Sequence, residues 1–249
     1  MLDCSDKKEW FASWFDTTYY HTLYAHRTHD EASDFIRQLV AFLNPKPGAR
    51  VLDLACGKGR HSVELAKYQM NVTGADLSAC SIAAAKEHAH ATLHFEVQDM
   101  RSLTFEEPFD LIFNLFTSFG YFDCDRDNAK VLEQVFTHLR PGGIFVLDYF
   151  NASLIDVHAV QEQTIERDGI QFHIKKWVEG QNALKQIHVI DGAFNEVFQE
   201  KVQLLYPDAI ATLLQQAGFS IFACFGNYQL EEMKLDSSPR CLMIAQKPL

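Results

Sequence analysis

The sequence predicts an α/β protein built around a mostly parallel sheet, and three features of the chain carry that reading. From Val51 onward, short apolar runs alternate with amphipathic stretches of helical period. The first of these runs ends in a bare Gly57-Lys58-Gly59 turn that opens a helix. Residues 162–205 then switch to a two-residue alternation between Gly-containing turns, which marks an antiparallel insertion. With 249 residues the chain buries roughly three quarters of its unfolded surface, so a substantial core is available.

Taken in order, segments 8–20 and 30–43 read as helices. In the second, Phe35, Ile36, Leu39, Val40, Phe42 and Leu43 recur at helical spacing until Pro45, Pro47 and Gly48 stop it. Next come strand 50–55, helix 59–69, strand 71–76, helix 78–89, strands 92–97 and 109–115, helix 126–139 and strand 143–149. After the insertion, Pro207 opens a helix that Gly218 closes, followed by strands 219–225 and 240–247. The expected organisation is thus N-terminal helices over residues 1–48, a core of 49–150 with 206–249, and a β insertion over 151–205 that serves as a cap or a homodimer element.

Charge narrows the partners. Asp and Glu total 33 against 22 Lys and Arg, a formal net charge of -11 that repels phosphate backbones. The adjacent pairs Lys7-Lys8 and Lys175-Lys176 make no basic footprint, so a small or cationic partner is expected rather than nucleic acid. Six scattered cysteines without a C-x-x-C pair read as a reducing, cytoplasmic setting. No run reaches membrane-spanning length, and the first residues lack a signal-peptide pattern, so no membrane partner is expected.

The most informative stretch is Val51-Leu52-Asp53-Leu54-Ala55-Cys56-Gly57-Lys58-Gly59-Arg60. Gly57 and Gly59 remove side chains where a backbone must approach a ligand closely, and the helix N-terminus beyond them offers free amides. Asp53 sits where it can bind an ammonium, directly or through water. A pyrophosphate-binding fingerprint needs a third glycine, yet position 62 is Ser62. Asp76 ends the next strand, about 20 positions beyond the turn, where a carboxylate meets ribose hydroxyls. Further on, Gln98-Asp99-Met100 offers an acceptor for an adenine amino group and a thioether to lie against the ring.

In these motifs the chain resembles the class I S-adenosylmethionine-dependent methyltransferases: VLDLACGKG, VTGADLS, QDMRSL, FDLIFNLF and LRPGGIFVLDYFN stand in that superfamily's order, strongly over 50–150 and more weakly in PDAIATLLQQAGF. The resemblance implies a Rossmann-like seven-stranded sheet with an antiparallel last strand. It also implies S-adenosylmethionine as cofactor, with S-adenosylhomocysteine as product, bound by Asp53, Ala55, Cys56, Gly57, Gly59, Asp76, Leu77, Gln98, Asp99 and Met100, with Asn114 and Phe116 across the switch point. In similar enzymes the region before the first strand folds over the cofactor, which points to Tyr20 and Tyr24 closing over the methionine end and Arg27 pairing with its carboxylate. Tyr121, Tyr149 and Asp148 are the candidates for accepting a proton or orienting the acceptor. His26, His29 and Asp30 share helical spacing, but no further metal ligand can be assigned and no metal is expected. A nicotinamide-dependent oxidoreductase and a non-catalytic nucleoside-binding subunit share parts of this pattern. Ser62 and the Asp99-Met100 pair count against the former, and the intact acids against the latter.

Overall fold

A computed structural model describes residues 9–25 and 29–249. Three short segments precede the sheet: α1 (Trp10–Trp14), α2 (Thr18–Leu23) and α3 (His29–Leu43). The single helix expected over 8–20 is broken in two. Thr17 Oγ1 donates to the Trp14 carbonyl at 2.8 Å and accepts from the Tyr20 amide at 3.1 Å, so its hydroxyl ends one helix and caps the next. In α3, Phe35, Ile36 and Leu39 are at most 1% exposed, and each such side chain contributes about 1.5–3 kcal/mol of burial.

The core strands are β1 (Arg50–Leu54), β2 (Asn71–Asp76), β3 (Leu93–Val97), β4 (Phe109–Asn114), β5 (Leu139–Phe150), β10 (Ser220–Phe225) and β11 (Arg240–Gln246). They form one seven-stranded sheet in the order β10-β11-β5-β4-β1-β2-β3. β11 runs antiparallel to both β5 and β10, while β1 through β5 are parallel. The helices α4 (Arg60–Ala66) and α5 (Ala79–Ala85) cover one face with α3, and α6 (Asp125–His138) and α7 (Pro207–Gln216) cover the other. Covering both faces explains why the central strands read as unbroken apolar runs. β5 begins earlier than expected, at Leu139, because residues around Gly142 loop out as a bulge before the ladder with β4 resumes at Ile144.

Residues 161–203 form a separate four-stranded antiparallel sheet, β6 (Gln161–Arg167), β7 (Ile170–Glu179), β8 (Asn182–Asp191) and β9 (Phe194–Gln203), paired in sequence order. Its apolar face holds Phe172, Ile174, Ile187 and Val189, all at most 3% exposed, and packs against Trp14 and Leu23. The N-terminal segment is therefore divided: α2 belongs with this second sheet, α1 bridges the two with Trp14 in the second core and Phe11 in the first, and α3 belongs with the first. Among the described residues, no helix is long and apolar enough to cross a membrane.

Candidate functional site

Register decides where the ligand-facing residues meet. Asp53 is level with Gly74, Asp76 with Val97, and Asn114 with Leu147. The loops that leave β1, β2, β3 and β4 therefore open on one rim, at the point where strand order reverses between β1 and β4. A cavity of about 610 Å³ lies there. Asp53, Ala55, Cys56, Gly57, Asp76, Leu77, Gln98, Asp99, Met100 and Phe116 line it, as do Tyr20, Tyr24 and Tyr121.

Gly57 adopts φ +56°, and a Cβ built there would meet nothing within 4 Å, so the bare backbone faces open space. Ala55, at φ 60°, takes the same left-handed conformation without being glycine. Gly59 does different work. At φ +81° a Cβ would come within 2.6 Å of the Phe95 ring, so this glycine seats α4 on the sheet and does not line the cavity.

The acids differ in state. Asp53 is 1% exposed and accepts the Ser62 hydroxyl at 2.6 Å; the residue that replaces a third glycine thus binds the first acid. Burial pushes the Asp53 carboxyl up to about 7, with the nearby Asp76 charge adding to it against the Ser62 bond. Asp76 accepts the amides of Gly57 and Ser78, both at 2.8 Å, which fixes the glycine loop to the end of β2. Burial raises its carboxyl as well, against those same amides. Burial also acts to raise Asp99, but hydrogen bonds from Arg101 outweigh it and hold the carboxyl below the usual range. Arg101 takes Asp99 through Nε and Nη2, takes Glu9 through its other edge, and lies over the Phe122 ring at 4.6 Å.

Two proposed catalytic groups lie away from the cavity wall. Tyr149 is fully buried and donates to the Gln203 carbonyl at 2.7 Å, tying β5 to the end of β9. Asp148, also 0% exposed, accepts the Phe116 amide and the side chains of Tyr228 and Arg240. Tyr121 does line the cavity, with its hydroxyl donated to the Thr117 carbonyl. Asn114 is 1% exposed and donates to the Leu54 carbonyl at 3.1 Å, bracing β4 against β1 beneath the rim. Arg27 and His26 lie outside the described residues. Among those described, no group of three or more His, Cys, Asp or Glu could hold a metal ion.

The opposite wall comes from residues the sequence did not single out. Trp10 and Phe15 meet Tyr121 at centroid distances of 5.2 and 5.6 Å and roof the cavity. Glu200 and Val202 reach it from β9, and Arg240 from the start of β11. Glu200 accepts Trp14 Nε1 at 2.8 Å and the Tyr24 hydroxyl at 2.7 Å, with Lys185 Nζ 3.6 Å away. The available signals were thin: a charged residue opening the apolar run RCLMIA, and an acid on the alternating strand FNEVFQEKVQ. His61 lines the cavity too; burial, helped by the Arg60 charge, lowers it to about 3, so the ring is neutral.

A doubly wound sheet with an acid-lined cleft at its switch point, and Ser62 where a pyrophosphate-binding turn has its third glycine, is the pattern of a nucleoside-binding α/β protein. The model of the methyltransferase domain family matches residues 45–217, well over half of the chain, and the protein belongs to that family. YqeM of Bacillus subtilis (strain 168), provisionally named a methyltransferase, is 29% identical over 238 residues, covering 92% of this chain and 94% of YqeM. Among solved structures, an S-adenosylmethionine-dependent methyltransferase from Clostridium acetobutylicum ATCC 824 superposes with a TM-score of 0.78 at 22% identity, covering 93% of this chain and 96% of its own. An amino pentose methyltransferase from Micromonospora echinaspora, solved with S-adenosylmethionine bound, gives 0.69 at 21% identity, with 93% and 97% covered. At such identities the structural likeness speaks for the fold alone.

Proposed function

We propose that this methyltransferase takes its methyl group from S-adenosylmethionine and delivers it to a small-molecule acceptor, with the donor along the β1–β3 rim and the acceptor between Phe116, Tyr121 and the second sheet. One observation carries the reading: Gly57, Asp76, Asp99 and the aromatic wall face a single cavity of about 610 Å³, a size that suits a nucleoside donor beside a small acceptor.

The residues fit the donor. Gly57 presents open backbone where a side chain would intrude, Asp76 retains carboxylate lone pairs for ribose hydroxyls, and Asp53 offers a buried carboxyl that an ammonium would hold ionised against its burial. Met100 and Leu77 supply apolar contact to the base. When bound, S-adenosylmethionine supplies a methyl carbon already activated by its sulfonium. The chain's own work is therefore to align the acceptor and to keep water out. Phe116 and Thr117 serve that alignment: both hold positive φ, 66° and 62°, because Asp148 accepts the Phe116 amide through its carboxylate and the Thr117 amide through its carbonyl. The roof serves exclusion. Trp10, Phe15, Tyr20 and Tyr24 close over the cavity, and the second sheet caps it through Glu200 and Val202. Tyr121 orients Thr117, while Asp148 and Tyr149 act as internal struts.

Calorimetric titration tests the reading. S-adenosylhomocysteine should bind at micromolar concentration and NAD should not. Tight NAD binding would favour an oxidoreductase, and a chain that took up neither at millimolar concentration would point to a non-catalytic subunit.

A further inference from the structure

Above β4 the cavity wall carries cationic groups that the donor assignment does not use. Arg240, from the first position of β11, lies 5.9 Å from the Phe116 ring centroid, and Arg60, from the first turn of α4, lies 4.4 Å from the same ring. Both line the cavity, and Lys58 joins them. The chain as a whole is strongly acidic and Arg60 has Glu31 at 3.7 Å, yet these three cationic side chains line the same cavity.

Arg240 is built into position. Its Nε donates to Asp148 Oδ1 at 2.8 Å, and its Nη2 reaches the same oxygen at 2.7 Å and the Thr117 hydroxyl at 2.9 Å. Asp148 cannot turn further toward it, because Oδ2 already accepts the Phe116 amide at 2.8 Å and the Tyr228 hydroxyl at 3.1 Å. The Tyr228 ring backs the guanidinium at 5.6 Å. The side chain is only 17% exposed, and the bonds that hold it run through Nε and Nη2. The fork is thus held on one edge by a fully buried carboxylate, at a residue that lines the cavity. A guanidinium fixed in plane is suited to an oxyanion.

We infer that the methyl acceptor carries an anionic group, a carboxylate or a phosphate, and that Arg240 docks it, with Arg60 adding positive charge beside Phe116. This rests on the methyl-transfer reading and deepens it. Arg240 reaches the cavity from β11, two strands beyond β4 on the side away from β1 and β2, so it approaches from the flank opposite the donor's ribose at Asp76. An acceptor anchored there holds its nucleophile over β4, between the anion site and the donor rim. Asp148 is then a positioning residue that acts through Arg240.

The test uses protein saturated with S-adenosylhomocysteine and titrated calorimetrically with succinate, inorganic phosphate and, as the uncharged control, succinamide. At least one of the anions should bind, and succinamide should not. Arg240→Gln leaves Asp148 buried without its cation, so it is made together with Asp148→Asn, which keeps the shape and removes both charges. The double variant should bind the anion at least tenfold more weakly and S-adenosylhomocysteine within threefold of wild type. Arg240→Lys, which keeps the charge and loses the fork, should fall between. Two results would overturn the inference: an anion affinity that is absent in wild type or unchanged in the double variant, or a parallel tenfold loss of S-adenosylhomocysteine, which would assign the guanidinium to the donor's own carboxylate. Wild-type protein that bound the anion but no S-adenosylhomocysteine would leave the anion site standing and sink the methyl-transfer reading instead.

Discussion

The two sides of the cavity are built in opposite ways. The β1–β3 rim is made of local structure: strand ends, a glycine turn and backbone amides held by acids a few residues from a strand terminus, as in the Gly57–Asp76 bond at 2.8 Å. The facing side is assembled from α1, α2, the β4 loop, β9 and β11, tied by side chains distant in sequence, such as Tyr24 and Trp14 on Glu200. A site of the first kind is set once the sheet forms and suits a ligand shared by many relatives. One of the second kind depends on which segments are brought together, and can change its partner without touching the β1–β3 strand ends.

If that contrast is right, damage to the rim should be severe and damage to the facing side local. The largest effect is expected from Gly59→Ala, which forces a left-handed residue to carry a Cβ into the Phe95 ring. It should cost about 2–4 kcal/mol of stability, read as a fall in the urea midpoint. Next, Asp76→Ala removes the ribose acceptor and loosens the Gly57 amide, and should weaken S-adenosylhomocysteine by about 1–3 kcal/mol in calorimetry; an unchanged affinity would contradict the assignment.

The third effect is one of pH. Asp53 titrates near 7 in the free protein because of its burial, and an ammonium-bearing ligand selects the ionised form. Below that pH a proton must leave before the contact forms, so affinity should rise as pH increases through 7 and level off above it. At pH 6 it should be down by about tenfold, with close to one proton released in buffers of differing ionisation enthalpy. Affinity that falls as pH rises would remove Asp53 from the ammonium contact.

The smallest effect belongs to the facing side. Glu200→Gln keeps the Tyr24 and Trp14 bonds and loses the Lys185 attraction. It should lower stability by about 1 kcal/mol in thermal unfolding and leave S-adenosylhomocysteine affinity within twofold. A tenfold loss of that affinity would show that the two sides are not separable.

The same contrast explains what the sequence could reveal. Strands β1, β2, β3 and β4 and the insertion were legible within a residue or two, since apolar runs and two-residue alternation are local signals. The rim residues Asp53, Gly57, Asp76 and Met100 were legible for the same reason: each sits at a fixed offset from a strand end. Arg240 and Glu200 were not, because what brings them to the cavity is the crossing of β11 beside β5 and the docking of a second sheet, neither of which leaves a mark at those positions. Tyr149 and Asp148 show the converse. They stand at the end of the correct strand, yet side-chain alternation and neighbouring chains commit them to the Gln203 carbonyl and to Arg240.

A structure of the protein with S-adenosylhomocysteine bound tests the central claim most directly. The account predicts ribose hydroxyls within hydrogen-bond distance of Asp76, the base beside Met100, and the sulfur turned toward Phe116 and the chamber beneath Glu200. Adenosine seated elsewhere on the surface, or lying in this cavity with its ribose away from Asp76, would contradict it.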